Sequence, residues 1–219
     1  MKPSHHVDDA TLLSYSAGAL PTAMAVVVAA HLDRCQLCRD HLLDADQIGG
    51  ALMQQQRPAT PSASAREAML ARLEREPELE SRPPQPLPAA FDPDRLPAPL
   101  HPWFGNSLRA LRWQRVAPGV QRIRASGLNG ADLMLLRIAP GSKLPLHSHR
   151  GSELTMILQG AYDDLLGHFG PGDVADLDGE TEHQPVTSPG VPCICVAATD
   201  APLKFSGWFA RTLQPLFGF

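Results

Sequence analysis

Apolar residues recur at helical spacing through the first quarter of the chain, and residues 7–56 read as three helices. The stretch VDDATLLSYSAGALP opens on Asp8 and Asp9, which suit a helix N-terminus, and carries Leu12, Leu13, Tyr15 and Leu20 before Gly18 and Pro21 interrupt it. TAMAVVVAAHLDRC reads as a second helix, strongly apolar and therefore buried. RDHLLDADQIGGALMQQQ reads as a third, with Leu42, Leu43, Ile48 and Leu52 expected to face inward. Residues 57–103 lose this periodicity, since RPATPSAS and PELESRPPQPLPAAFDPDRLPAPLHP have linker composition. Between them SAREAMLARLERE, residues 64–76, restores it: Ser64 and Glu67 fit a capping box, and Ala65, Ala68, Met69 and Leu73 form a stripe. So short a helix on tethers is marginal alone, so the stripe must be buried on the first three helices or on a partner. From residue 104 onward, short segments such as VQRIRA, DLMLLRIAP, ELTMILQG and PCICVAAT are separated by Gly, Pro, Asp and Asn. That pattern predicts a sandwich or barrel, including the jelly-roll type. The expected class is α + β in two domains. Helices occupy residues 1–80, with the fourth at about 64–76; a Pro-rich linker covers 81–103, and an all-β barrel covers 104–219.

Composition sharpens this picture. A chain of 219 residues with 43% hydrophobic content can hold two ordinary cores. The net charge of −4 is uneven: residues 1–80 carry 7 basic against 11 acidic side chains, and the remainder carries 12 of each. An acidic first half argues against direct nucleic-acid binding and suits a basic protein partner. The run AMAVVVAA lacks a basic flank and is far shorter than the ~20 residues a membrane span needs, so a cytoplasmic protein without a membrane segment is expected. Four cysteines in two close pairs point to metal or redox chemistry in a reducing compartment.

The first pair lies in HLDRCQLC. His31, Cys35 and Cys38 converge either on one helical face or across a helix end and the start of the next. Structural zinc takes four Cys or His donors, and the fourth candidate is His5 or His6, with His41 in reserve. A redox reading of Cys35-x-x-Cys38 would want a βαβ setting, which the pattern lacks. Three short helices hold a small core, and such domains often need a metal staple.

A second donor set lies in GSKLPLHSHRGSELTMILQG. His147 and His149 alternate on a strand and share a face, and Glu153 follows four residues later. The spacing G-x5-H-x-H-x3-E-x6-G, from Gly141 to Gly160, matches the first cupin motif and so resembles a cupin barrel. In GPGDVADLDGETEHQPVTS, Pro171, Gly172 and Asp173 mark a turn and His183 is the fourth ligand candidate; His168 is a weaker one. This segment departs from the enzyme pattern by a longer stretch before the histidine and by lacking a downstream Asn. Three His and a carboxylate suit Zn, Mn, Fe or Ni. Cys193 and Cys195 share a strand face as small apolar filler or as a redox reporter; a disulfide between them is disfavoured because a straight strand separates their Cα atoms by ~6.6 Å.

H-x3-C-x2-C with an upstream His, in three helices followed by a tethered fourth, resembles the zinc-binding anti-sigma domain. The resemblance implies His6, His31, Cys35 and Cys38 as zinc ligands. With a cupin behind it, the whole chain looks like the ChrR-type anti-sigma factors, whose members respond to singlet oxygen and organic peroxides. This implies two zinc ions (Zn2+), the second at His147, His149, Glu153 and His183. It also implies an extracytoplasmic-function-type sigma factor as partner, held off RNA polymerase, with no direct nucleic-acid contact. Leu12, Tyr15, Met69, Leu70 and Leu73 are the candidate contacts. On this reading the protein is not an enzyme, and the cupin reads oxidative stress and triggers release. The competing reading is a cupin metalloenzyme, a dioxygenase or isomerase, with Tyr162 and Glu182 as candidate acid or base groups.

Overall fold

The computed structural model describes residues 2–75, 92, 94–128, 130–201 and 203–205. It forms two compact units. Residues 1–49 together with those from 94 onward make one, and residues 50–93 make the other. Helices α1 (Asp9–Ser16), α2 (Thr22–Leu32), α3 (Gln36–Gln54) and α4 (Ala63–Arg75) come first. A 3-10 turn (Ala98–Leu100) and a one-turn helix, α5 (His101–Phe104), lead into the strands. A six-stranded antiparallel sheet has the order β1 (Gln114–Ala117), β2 (Val120–Arg124), β3 (Asp132–Ile138), β10 (Cys193–Thr199), β5 (Glu153–Gln159), β8 (Val174–Leu177). A three-stranded sheet has β6 (Tyr162–Asp164) between β7 (Gly167–Phe169) and β9 (Val186–Thr187), and β4 (His147–His149) pairs with β11 (Leu203–Phe205). The α + β class with a β-sheet cupin-like domain is as expected.

Strand β10 is buried along its whole length. Alternate side chains explain this, because both faces of the sheet are covered. Cys193 and Cys195 join Ile138, Ile157 and Phe169 in the barrel interior. Ile194, Val196 and Ala198 face outward into a second cluster with Val27 and Val28 of α2. Helix α2 lies across β3, β5 and β10, and the turn at 98–100 covers it from another side. An apolar helix must be covered all round, and here the barrel supplies most of the cover. The helical segment therefore does not close a core of its own.

Three local expectations change. Leu43, Ile48 and Leu52 are exposed by 56–57% rather than turned inward, and only Leu42 of that group packs against the core. The cap of α4 is Ser62, whose Oγ accepts from the Ala65 N–H at 3.1 Å; Ser64 lies inside the helix. The end of the expected linker is packed structure: Leu96 and Leu100 are fully buried in the core that contains α2. Residues 76–91 of the linker lie outside the described residues, as does Trp208.

If residues 94–103 are part of the core, Leu100→Ala costs about 2–5 kcal/mol in denaturant unfolding, the range for a buried leucine. A cost below about 0.5 kcal/mol, as at a surface position, contradicts this placement.

Candidate metal centres

Helix α2 ends at Leu32, and α3 begins at Gln36. His31 therefore sits on the last turn of one helix and Cys38 on the first turn of the next, with Cys35 just before it. His6 reaches the same point from the N-terminal arm, and one ligand atom from each of the four lies within 4.8 Å of every other. His6 Nδ1 is 3.2 Å from Cys35 Sγ and 3.6 Å from Cys38 Sγ, and His31 Nε2 is 3.2 Å from Cys38 Sγ. Zinc–ligand bond lengths in a tetrahedron put donors about 3.3–3.8 Å apart, so the set has the size of a zinc site.

The choice between adjacent histidines follows from the arm's path. His6 turns to the cysteines, while His5 stacks on Phe169 with centroids 4.0 Å apart. His41, the reserve candidate, bonds Asp9 at 3.0 Å on the surface instead.

The tautomer at His31 follows from its partner. The Gly172 carbonyl accepts from Nδ1 at 2.8 Å, so Nε2 carries the lone pair and faces the thiols. Burial lowers the His31 pKa and the nearby His6 adds to this; the Gly172 bond and Asp173 oppose it, and the net direction is down. The neutral, ligating imidazole is thus favoured. Burial pushes the Cys38 thiol up to about 11. A bound cation would stabilise the Cys38 thiolate against that cost.

The arm that carries His6 is tied to the barrel by Asp173. Its carboxylate accepts from the Ser4 N–H at 2.6 Å, the His5 N–H at 3.0 Å and the Gly170 N–H at 2.8 Å. Burial would raise this carboxyl, but those N–H donors outweigh it and hold it below the usual range.

His147, Glu153 and His183 of the second donor set line a barrel cavity of about 300 Å³. His147 and His183 form a backbone bridge with N–H to carbonyl distances of 3.1 and 3.0 Å, which sets the two rings side by side. Pro145 O accepts from His147 Nδ1 at 2.8 Å, and Asp164 Oδ2 accepts from His183 Nδ1 at 3.1 Å. The two Nε2 atoms then lie 3.1 Å apart. Glu153 lines the same cavity and accepts from Thr155 Oγ1 at 2.8 Å. His149 stands two positions beyond His147 in β4, but its side chain lies outside the described residues. His168 points to the surface and bonds Asp163, so it is no ligand of this cavity.

Asp164 was not anticipated from the sequence. It has no side-chain exposure and orients His183. An acid two residues beyond an apolar strand start gives no signal by itself; only the fold brings it to His183.

Cys193 and Cys195 also line the cavity. Burial raises Cys193 to about 12 and Cys195 well above the ordinary thiol value. Both are neutral thiols at physiological pH. Tyr162 lines the cavity too, with its pKa pushed upward by burial, whereas Glu182 is exposed. Of the expected contact residues, Leu12 is 1% exposed and belongs to the core, because it faces inward from α1; its neighbour Leu13 faces out. Tyr15 is half-buried against that core, while Met69, Leu70 and Leu73 are exposed on α4.

Comparison with known proteins covers nearly the whole chain. A family model described as the ChrR cupin-like domain matches residues 105–201. The anti-sigma-E factor ChrR of Cereibacter sphaeroides is 40% identical over 213 residues, covering 97% of both proteins. A solved complex of Rhodobacter sphaeroides SigE with the anti-sigma ChrR matches with a TM-score of 0.75 and 37% identity, over 90% of this chain and 100% of that one.

Because burial holds Cys38 protonated up to about 11, metal binding at neutral pH must expel its proton. The apparent zinc affinity therefore rises about tenfold per pH unit, per proton released, between about pH 7 and pH 8. Chelator competition at fixed free zinc reads this slope, and a flat profile would contradict thiolate ligation. Because the His31 pKa is lowered, protons compete with the metal for its nitrogen only below the ordinary histidine range.

Proposed function

The chain belongs to the ChrR family of anti-sigma factors, and from that premise we propose that it binds an extracytoplasmic-function-type sigma factor and keeps it from RNA polymerase. The observation that carries this is the likeness, over almost the entire length, to a chain of a SigE–ChrR complex. No described helix is long and apolar enough to cross a membrane.

The clamp uses two surfaces. Zinc at His6, His31, Cys35 and Cys38 fixes the arm, the end of α2 and the start of α3 relative to one another. Exposed leucines nearby, such as Leu13 of α1, and the apolar side chains Met69, Leu70 and Leu73 of α4 provide contacts. Because α4 hangs on a tether, its engagement after the first contact is effectively intramolecular and strengthens the whole.

In this reading the cupin holds a second metal ion through His147, His149, Glu153 and His183, zinc by the resemblance noted in the sequence. His183 is oriented by Asp164 and His147 by Pro145, the outer partners expected of metal-bound imidazoles. When bound, the ion supplies a Lewis-acidic point in a largely apolar cavity. This domain reads oxidative stress, singlet oxygen or organic peroxide, and lowers the clamp's affinity. Cys193 and Cys195 are suited to report oxidation because they line the same cavity.

The enzyme reading is not favoured, because the near-full-length relative is an anti-sigma factor and the matching solved structure is a complex with a sigma factor.

Co-expression with a candidate sigma factor and pull-down tests both parts. Met69→Asp with Leu73→Asp lowers recovered sigma at least about tenfold, as expected for lost apolar anchors; full recovery would remove α4 from the interface. Peroxide treatment releases sigma from the parent but not from Cys193→Ser, Cys195→Ser. Equal release from both would exclude the two thiols as reporters.

A further inference from the structure

One segment, residues 162–173, touches both metal centres. At its start Tyr162 faces the barrel cavity, and Asp164 accepts from the cavity ligand His183 at 3.1 Å. In the middle, Phe169 stacks on Tyr162 with centroids 4.9 Å apart and, on its other side, on His5 at 4.0 Å. His5 precedes the ligand His6 and lies so close over Gly167 that a Cβ there would meet its Nε2 at 3.2 Å. At the end of the segment, the Gly172 carbonyl accepts from the ligand His31 at 2.8 Å, and Asp173 holds the arm through the Ser4 and His5 N–H groups. Two of the four ligands at the helical centre are thus oriented by the barrel, through groups in register with one hairpin and the turn after it.

We infer that residues 162–173 are a strut through which the state of the cupin cavity sets the grip of the helical metal centre. His5, Phe169 and Asp173 are its positioning residues. The physical basis is rigidity. Stacked rings and a carboxylate saturated with N–H donors have no slack, so a shift of His183 or Tyr162 moves Phe169 and the turn, and these move the arm and the His31 acceptor. A looser Gly172 bond makes His31 a weaker donor and frees its ring to rotate. The inference rests on the reading of His6, His31, Cys35 and Cys38 as a metal centre, and it gives the proposed stress response a route.

The test uses the full-length protein loaded with cobalt. The thiolate-to-cobalt absorption reports Cys35 and Cys38, because the cavity ligands include no sulfur. Its decay in excess chelator gives the release rate. His183→Ala, whose side chain lies in the cavity, changes that rate by at least about threefold, the size expected of coupled sites. In a His5→Ala background, which removes the stack from its exposed end, His183→Ala adds little. Asp164→Asn weakens the same bond without emptying space and shows the same pattern should His183→Ala fold poorly. Equal release from His183→Ala, Asp164→Asn and parent overturns the inference, as do effects of His183→Ala and His5→Ala that simply multiply. A parent protein with no thiolate band overturns the metal centre itself, a distinct result.

Discussion

Everything at the helical metal centre depends on how α2 is covered. The helix is apolar on all sides, and Ala23, Met24, Val27, Val28 and Ala30 are buried. No three-helix bundle of this size can cover such a helix. The outer face of the six-stranded sheet does, with the turn at 98–100 closing the remaining side. Once α2 is placed there, its last turn has one position available, and His31 meets the Gly172 carbonyl. The barrel is thus a structural part of the His6, His31, Cys35 and Cys38 cluster it stands beside.

The same sheet serves two interiors. Strands β5 and β10 send one set of side chains under α2 and the alternate set into the cavity. This double duty explains the unbroken apolar run CICVAAT, which alternation in a one-sided sheet would not produce. It also places two neutral thiols and two imidazoles in one enclosed space of modest size. Buried thiols with raised pKa values are poor nucleophiles towards ordinary reagents.

Much of this was legible in the residues. The two donor sets announce themselves by spacing, H-x3-C-x2-C and H-x-H-x3-E, because ligands must converge and backbone periodicity dictates which spacings can. Other features were not. His5 and His6 are equivalent by spacing; the arm's path along the barrel separates them, since one stacks on Phe169 and the other meets Cys35. Leu43, Ile48 and Leu52 have the spacing of a core face yet face solvent, as a partner-binding helix can. Leu96 and Leu100 sit in linker-like composition, where two leucines among prolines give no periodicity to detect. Asp164 and the Gly172 carbonyl act through tertiary placement alone. That residues 1–49 and those from 94 onward form one compact unit is likewise a matter of tertiary packing.

In the proposed function, an ion at His6, His31, Cys35 and Cys38 staples the arm and keeps the partner-binding surface assembled, and the barrel braces that staple. The direct measurement is binding of the sigma factor to the full-length protein during stepwise chelation, with thiolate-bound cobalt followed in the same sample. Binding that falls in step with the thiolate signal is the predicted result. Binding that persists at full strength after that signal has gone would contradict the account.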